Sequence, residues 1–341
     1  MRLTKIKNTV KYLLWKGKSI RLNFLTVSPS FARINYSLFN SSFKHEQHKT
    51  LAGIAKNISD KGNIGNLRRN IHRLEKGLIS IPPKPVFAEG YIRETVHAFL
   101  NSEAREIEIP TYEWAYGILH KYFDFVDETP KIKEAKELFN KHKESVNLSN
   151  FPTPYKSSKR VKSSIGYDEF HKLNLQRRSV RYYKDIPVPR KDVEKAIETA
   201  LLAPSACNRQ PFTFRIIDSP DLLREAVKLP IGATTFSDNI KMMIFVIGDL
   251  SNYFDERDKH LIYIDSSLST MGFVLALETL GLSSCIINWS DIKENNLKLN
   301  KFLQLKKWEQ CVLTLSVGYA SDEGGIPCSN KKSINSVIKY N

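Results

Sequence analysis

Cysteine is scarce. Four occur in 341 residues, at Cys207, Cys285, Cys311 and Cys328, with no CxxC pair and no histidine at metal-ligand spacing. That pattern argues against a structural metal site. Cys285 and Cys311 stand in apolar runs and read as small packed hydrophobes. Such usage fits a reducing compartment better than secretion, so the expected localisation is cytoplasmic. Near the start of the chain there is no apolar run long enough for a signal-peptide core and no small-residue cleavage site. The longest apolar-rich stretch, Leu261 to Leu282, carries Asp265 and Glu278 and reads as a buried helix rather than a membrane span. Internal repeats are absent, as is any recognisable nucleic-acid-reading module, so nucleic acid is not an expected partner.

Positive charge is abundant and uneven. The net charge is +16, and residues 1–61 hold twelve Lys/Arg against Glu46 and Asp60. Such a basic arm suits weak contact with an anionic membrane face or a protein, or serves as a solvated leader. A surface-lying amphipathic helix is one form for residues 1–40, where Leu13, Leu14, Trp15 and Ile20 are scattered among lysines. With 41% hydrophobic and 11% aromatic residues, the rest can build a sizeable core, and the length favours two domains.

The boundary is expected where periodicity lapses, near residues 147–166. Asn147 to Pro154 and then Lys156-Ser157-Ser158-Lys159-Arg160 form a Pro-, Ser- and Lys-rich stretch. The division is therefore residues 1–150 as a helical region with a basic leader, 151–166 as linker, and 167–341 as a second domain. Helical stripes in the first half run through Ile64, Leu67, Ile71, Leu74 and Leu78, through Ile92, Val96 and Phe99, through Trp114, Ile118 and Tyr122, and through Ile132, Ala135 and Phe139. Thr129 before Pro130 predicts a cap and a first-turn proline. His72, Arg73, Glu75 and Lys76 read as a solvated polar face, and this half shows no catalytic constellation.

In the second half a helix is expected from near Pro189 to before Pro204, followed by β-rich runs at 212–217, 242–247, 284–287 and 311–317. Helices are expected at 221–228, 262–280 and 292–303. The fold class is α+β of layered α/β type. The helix around Met271–Leu280 is apolar on nearly every face and must be covered all round, by this chain or by a second subunit.

Two segments carry the chemistry. Arg177-Arg178-Ser179-Val180-Arg181 supplies guanidinium forks and a hydroxyl, the groups that a phosphate dianion needs. Arg177, Ser179 and Arg181 share a face if the segment is extended. After a helix comes Pro204-Ser205-Ala206-Cys207-Asn208-Arg209-Gln210-Pro211, a turn crowded with neutral hydrogen-bonding groups. Asn208 and Gln210 each carry donor and acceptor on one side chain, which suits the edge of a planar heteroaromatic ring.

This order of motifs resembles the FMN-binding core of the nitroreductase family over roughly residues 168–341. Val188-Pro189-Arg190, Gly248-Asp249-Leu250, the apolar helix ending Gly281-Leu282 and Val317-Gly318-Tyr319 agree with it. The resemblance implies a nitroreductase-like mixed or antiparallel sheet flanked by helices, FMN as cofactor, NAD(P)H as electron donor, and a homodimer with the flavin at its interface. Arg177, Arg178, Ser179 and Arg181 would then hold FMN phosphate and ribityl oxygens, joined by Lys331 and Lys332. Pro204, Ser205, Ala206, Asn208 and Gln210 would meet the ring from the partner subunit. Hydride would pass ping-pong from NAD(P)H through the flavin to an organic acceptor, nitroaromatic or quinone-like, with no obligate catalytic side chain. Lys331 stands where the family usually has Arg, and Phe212 where Trp is common. A family carboxamide has no clear counterpart around Ile231–Thr235. The chain also resembles family members associated with polysaccharide biosynthesis, which carry a helical N-terminal half and a run like His72–Leu78. The alternative is a flavin-binding sensor or accessory protein of envelope polysaccharide production with little turnover.

Overall fold

The computed structural model describes residues 2–103, 107–141 and 151–341. Part of the expected boundary stretch, residues 147–150, lies outside the described residues. The chain forms two compact units, Met1–Thr50 and Leu51–Asn341.

The first unit holds helices α1 (Arg2–Leu25) and α2 (Pro29–Ile34), a π-helical turn (Asn35–Phe39) and the start of α3 (Lys44–Ser59). Helices thus occupy much of residues 1–40. Ser28 caps α2, its Oγ accepting from the Ser30 amide at 3.2 Å. Phe24 stacks on Phe31 at 5.0 Å, and Arg21 donates to Asn35 Oδ1 at 2.7 Å. Leu13, Leu14, Trp15 and Ile20 of α1 are exposed.

The second unit begins with a helical layer: α4 (Ile64–Leu78), α5 (Ile92–Glu103), α6 (Ile109–Phe125) and α7 (Pro130–Asn140). The apolar stripes of the sequence close one core, in which Leu67, Ile71, Leu74, Val96, Phe99, Ile118, Tyr122, Ile132 and Phe139 are buried. Thr129 caps α7 as expected, accepting from the Ile132 amide at 3.4 Å. The start of the expected linker is anchored to this layer, since Phe151 packs edge-on against Tyr116 at 5.7 Å.

Next come α8 (Tyr167–Gln176), α9 (Arg190–Ala200), β1 (Phe212–Ile217), α10 (Pro220–Ala226), β2 (Met242–Asp249), α11 (Leu261–Thr279), β3 (Ser283–Asn288), α12 (Lys293–Leu303) and β4 (Glu309–Gly318). The strands form one sheet in the order β1-β2-β4-β3, with every pairing antiparallel. β2 lies in the interior, which explains why its sequence never alternates. Met242, Ile244 and Val246 face a core with Val193, Ala196, Phe273 and Leu277 from α9 and α11. Met243, Phe245 and Ile247 face a second core with Ala226, Leu299 and Leu303 from α10 and α12. The structure is an α+β fold, an antiparallel four-stranded sheet flanked by helices and preceded by a helical N-terminal region.

Cys285 and Cys311 are buried, as their apolar settings implied. The expectation that α11 is covered all round is not met within one chain. Ile264, Leu268 and Met271 are 47%, 45% and 40% exposed, at helical spacing on one stripe.

The helical layer is fastened to the sheet layer through the turn after β2. Asn57 and Asn63 both donate from Nδ2 to the Ser251 carbonyl, at 2.7 and 3.1 Å. Gly65 makes room for this approach, since a Cβ there would sit 2.5 Å from Asn252 Oδ1.

Candidate functional site

The arginine-rich segment leaves α8 and runs along the edge of β3. Ser179 pairs with Ser284 in a parallel bridge, and the Val180 amide donates to the Ser284 carbonyl at 3.0 Å. Val180 is buried. Tyr183 holds the segment's exit: its hydroxyl donates to the Val180 carbonyl at 2.7 Å and sits 2.8 Å from Ser316 Oγ. Asn239 clamps the same point twice, accepting from the Tyr183 amide at 2.7 Å and donating to the Arg181 carbonyl at 2.8 Å. The carboxamide usual in resembling proteins has no counterpart around Ile231–Thr235; Asn239 is a carboxamide a few residues beyond, just before β2.

The segment is not simply extended, since the Val180 amide also lies 3.0 Å from the Arg178 carbonyl, across Ser179. Burial pushes the Cys285 thiol up, opposed by the Arg181 charge, a Ser179 hydrogen bond and the Arg177 charge. Arg178 turns elsewhere and donates to the Cys328 carbonyl at 3.4 Å. Among the described residues, Arg177, Arg178 and Arg181 have no carboxylate within 4.0 Å. Lys331 and Lys332 are exposed in the C-terminal run beyond Cys328.

The second segment is an unusual bend. Cys207, Asn208 and Gln210 have φ of 56°, 52° and 50°. Left-handed backbone at non-glycine residues persists only where surroundings enforce it. Those surroundings are visible. Asp265 of α11, 2% exposed, accepts from the Ala206 amide at 3.0 Å. Ser205 Oγ accepts from the Gln210 amide at 3.1 Å. Gln210, expected to face a ligand, also braces the bend, its Nε2 donating to the Leu201 carbonyl and to Asn208 Oδ1, both at 3.3 Å. Arg209 is buried under the turn, its Cζ 5.0 Å over the Tyr253 ring. Burial raises the Asp265 carboxyl, opposed by the Ala206 amide and Arg209. Pro204 is exposed, and Ser205, Ala206 and Asn208 are half-buried.

Sequence reasoning missed the contribution of α4. Arg68, itself buried, donates from Nε to the Asn208 carbonyl at 2.7 Å and from Nη1 to Thr111 Oγ1. Its guanidinium lies 5.1 Å over Trp114. His72, Arg73 and Glu75 are half-buried rather than solvated: Glu75 accepts from Trp114 Nε1 at 2.9 Å and lies 3.3 Å from His72. Lys76 alone is exposed as expected.

Within one chain the two motifs do not meet. β1 and β3 are opposite edges of the sheet, three strand spacings apart, or about 14 Å. Register also separates them lengthwise: Ser284 is level with Val317 and Met242, whereas the bend feeds Phe212, level with Gly248, about 20 Å along β2. Helix α11 gives a second ruler. Asp265 holds the bend, and Glu278 accepts from Gln176 Nε2 at 3.2 Å beside the arginine segment. Those two positions are about 20 Å apart along the helix.

The sequence profile of the nitroreductase family matches residues 175–239 and 234–319. A candidate NADH dehydrogenase/NAD(P)H nitroreductase of Archaeoglobus fulgidus is 31% identical over 161 residues, 46% of this chain and 88% of that one. Iodotyrosine deiodinase 1 of Pongo abelii is 22% identical over 247 residues, 63% of this chain and 84% of its own. Among solved structures, an FMN-dependent nitroreductase from Clostridium difficile covers 50% of this chain and 98% of its own, with 23% identity and a TM-score of 0.43. By its motifs and by its extended match to the Archaeoglobus protein, the chain belongs to the nitroreductase family.

Proposed function

We propose that this chain is an FMN-dependent NAD(P)H oxidoreductase, working as a cytoplasmic homodimer on an organic acceptor that is nitroaromatic or quinone-like. Family members are generally oxidoreductases that typically use a flavin and NAD(P)H, and they are commonly dimeric. Residues 167–341 form the FMN-binding domain, joined through 151–166 to an added helical region, 1–150.

The observation that carries the reading is the donor set at the β3 edge, which forms no salt bridge among the described residues. Three guanidiniums and a hydroxyl without a carboxylate partner fit a phosphate dianion, which would accept charge-assisted bonds from them. Arg177, Arg178, Ser179 and Arg181 hold the phosphate end, with Lys331 and Lys332 adding point charges. The bend of a second copy, Pro204 to Gln210, lies along the ring, with Asn208 and exposed backbone groups as its hydrogen-bonding edge. A two-fold partner is what brings diagonal corners of the sheet into one site. The open stripe on α11, Ile264, Leu268 and Met271, is the apolar surface such a partner would cover.

When bound, FMN supplies reversible two-electron chemistry between NAD(P)H and the acceptor. The chain's own groups bind and orient; none is assigned an acid or base role. An absorption spectrum of the purified protein, followed by anaerobic titration with NADPH and NADH, tests the reading. Bleaching of an oxidised-flavin spectrum at one equivalent supports it, whereas a colourless protein that takes up no FMN overturns it.

A further inference from the structure

Helix α4 presents a second cationic site beside the bend. Arg69 and Arg73 lie one turn apart, on one helical face. The Asn70 carboxamide oxygen accepts from both, from Arg69 Nη1 at 3.2 Å and Arg73 Nη1 at 3.4 Å. One acceptor therefore holds two like charges together. Each guanidinium also rests on an aromatic ring, Arg73 at 3.6 Å from the Tyr91 centroid and Arg69 at 4.9 Å from that of Phe254. Stacking of this kind fixes the plane of a guanidinium and leaves much of its fork free.

Among the described residues, neither Arg69 nor Arg73 has a carboxylate within 4.0 Å. Both are half-buried and still reach solvent. Burial lowers Arg69, helped by the like charges of Arg73 and Arg209 and opposed by Cys207 and Glu94. Arg209 and Cys207 belong to the bend, and Arg68, next along α4, is bonded to Asn208. The pair thus sits on the helix that packs against the bend along which the ring is placed above. Arg69 also lines a cleft of about 610 Å³ with Asp60, Lys61, Glu94, His97 and Phe254, which offers room beyond the pair.

Two crowded guanidiniums that form no salt bridge among the described residues gain most from a planar oxyanion that accepts from both. We propose that Arg69 and Arg73 bind the carboxylate of the electron acceptor, so that the preferred acceptor is an aromatic acid rather than a neutral molecule. This rests on the flavin reading for its place beside the ring, yet the anion site itself can be tested without turnover.

The test compares para-nitrobenzoate with its neutral relative para-nitrobenzyl alcohol, by isothermal titration onto the purified homodimer with and without FMN. The expected result is tighter binding of the acid by the parent protein. Arg69→Gln/Arg73→Gln should weaken the acid roughly tenfold more than the alcohol. Arg73→Gln alone should show a smaller loss in the same direction, and it keeps the test intact if the double variant does not fold. Equal binding of acid and alcohol by the parent, or a preference that survives both variants, overturns the proposal. So does a variant that keeps the preference for the acid but loses discrimination between NADPH and NADH, which would give the pair to the nucleotide's phosphate. A protein that never takes up FMN but binds the acid through this pair defeats the flavin reading and leaves the anion site standing.

Discussion

Arg68 Nε donates to the backbone carbonyl of Asn208 at 2.7 Å, across 140 positions of sequence. The bond ties the helical layer to the bend that leads into β1. Because Arg68 is buried and also bonds Thr111 and lies over Trp114, its removal strands several groups at once. Arg68→Ala should cost about 3 kcal/mol in urea unfolding and should weaken FMN binding. Arg68→Lys should not restore either, because an ammonium cannot make the forked contacts. Unchanged stability in Arg68→Ala would show that the contact is incidental.

Asn239 is expected to govern the phosphate end without touching the cofactor. Its carboxamide joins the Arg181 carbonyl to the Tyr183 amide. In Asn239→Ala both groups lose their partner and the backbone between the arginines and Tyr183 loosens. The FMN dissociation constant, read by quenching of flavin fluorescence, should rise by about tenfold, with the dimer retained. An unaltered constant would mean that Tyr183 and the β3 bridge suffice.

Asp265 makes stability depend on pH in a defined sense. Burial raises its carboxyl above the ordinary aspartate value in the folded protein. The folded state therefore holds a proton that the unfolded state has already released, and stability falls as pH rises from about 4 through the raised value. Asp265→Asn removes that dependence while keeping an oxygen for the Ala206 amide. The parent should lose stability relative to this variant on raising the pH through that window, and the difference should be flat below it. A parent that gains on the variant instead would show that the amide and Arg209 outweigh burial.

The open stripe of α11 predicts an oligomeric contact. Leu268→Glu/Met271→Glu places two charges where apolar burial is expected, and sedimentation should show monomers that have lost FMN. A double variant that remains dimeric and yellow would put the interface elsewhere.

Most of the layered fold could be read from the chain, because buried faces impose periodicity. Leu67, Ile71 and Leu74 gave α4, and the unbroken run Met242–Ile247 gave an interior strand. Helix α8 had no such signal, since none of its residues is buried. The arginine segment was legible as chemistry, but its position was not. That required the strand order, which places β1 and β3 at opposite edges and separates two motifs only some thirty residues apart in sequence. The left-handed backbone at Cys207 and Gln210 was hidden for another reason: these residue types rarely adopt it, and the groups that hold the bend lie far along the chain, at Asp265 and Arg68. Charged residues on α4 resembled a solvated face because their aromatic supports, Tyr91 and Phe254, come from distant segments.

The most direct test of a shared cofactor site is subunit complementation. Arg177→Ala/Arg181→Ala in one chain and Ser205→Ala/Asn208→Ala in another should each give homodimers that bind FMN weakly. A heterodimer of the two, isolated with separate tags, pairs one intact phosphate corner with one intact bend, and it should regain a single tight FMN while its other site stays empty. If the heterodimer binds no better than its parents, the two corners do not close on one flavin and the account fails.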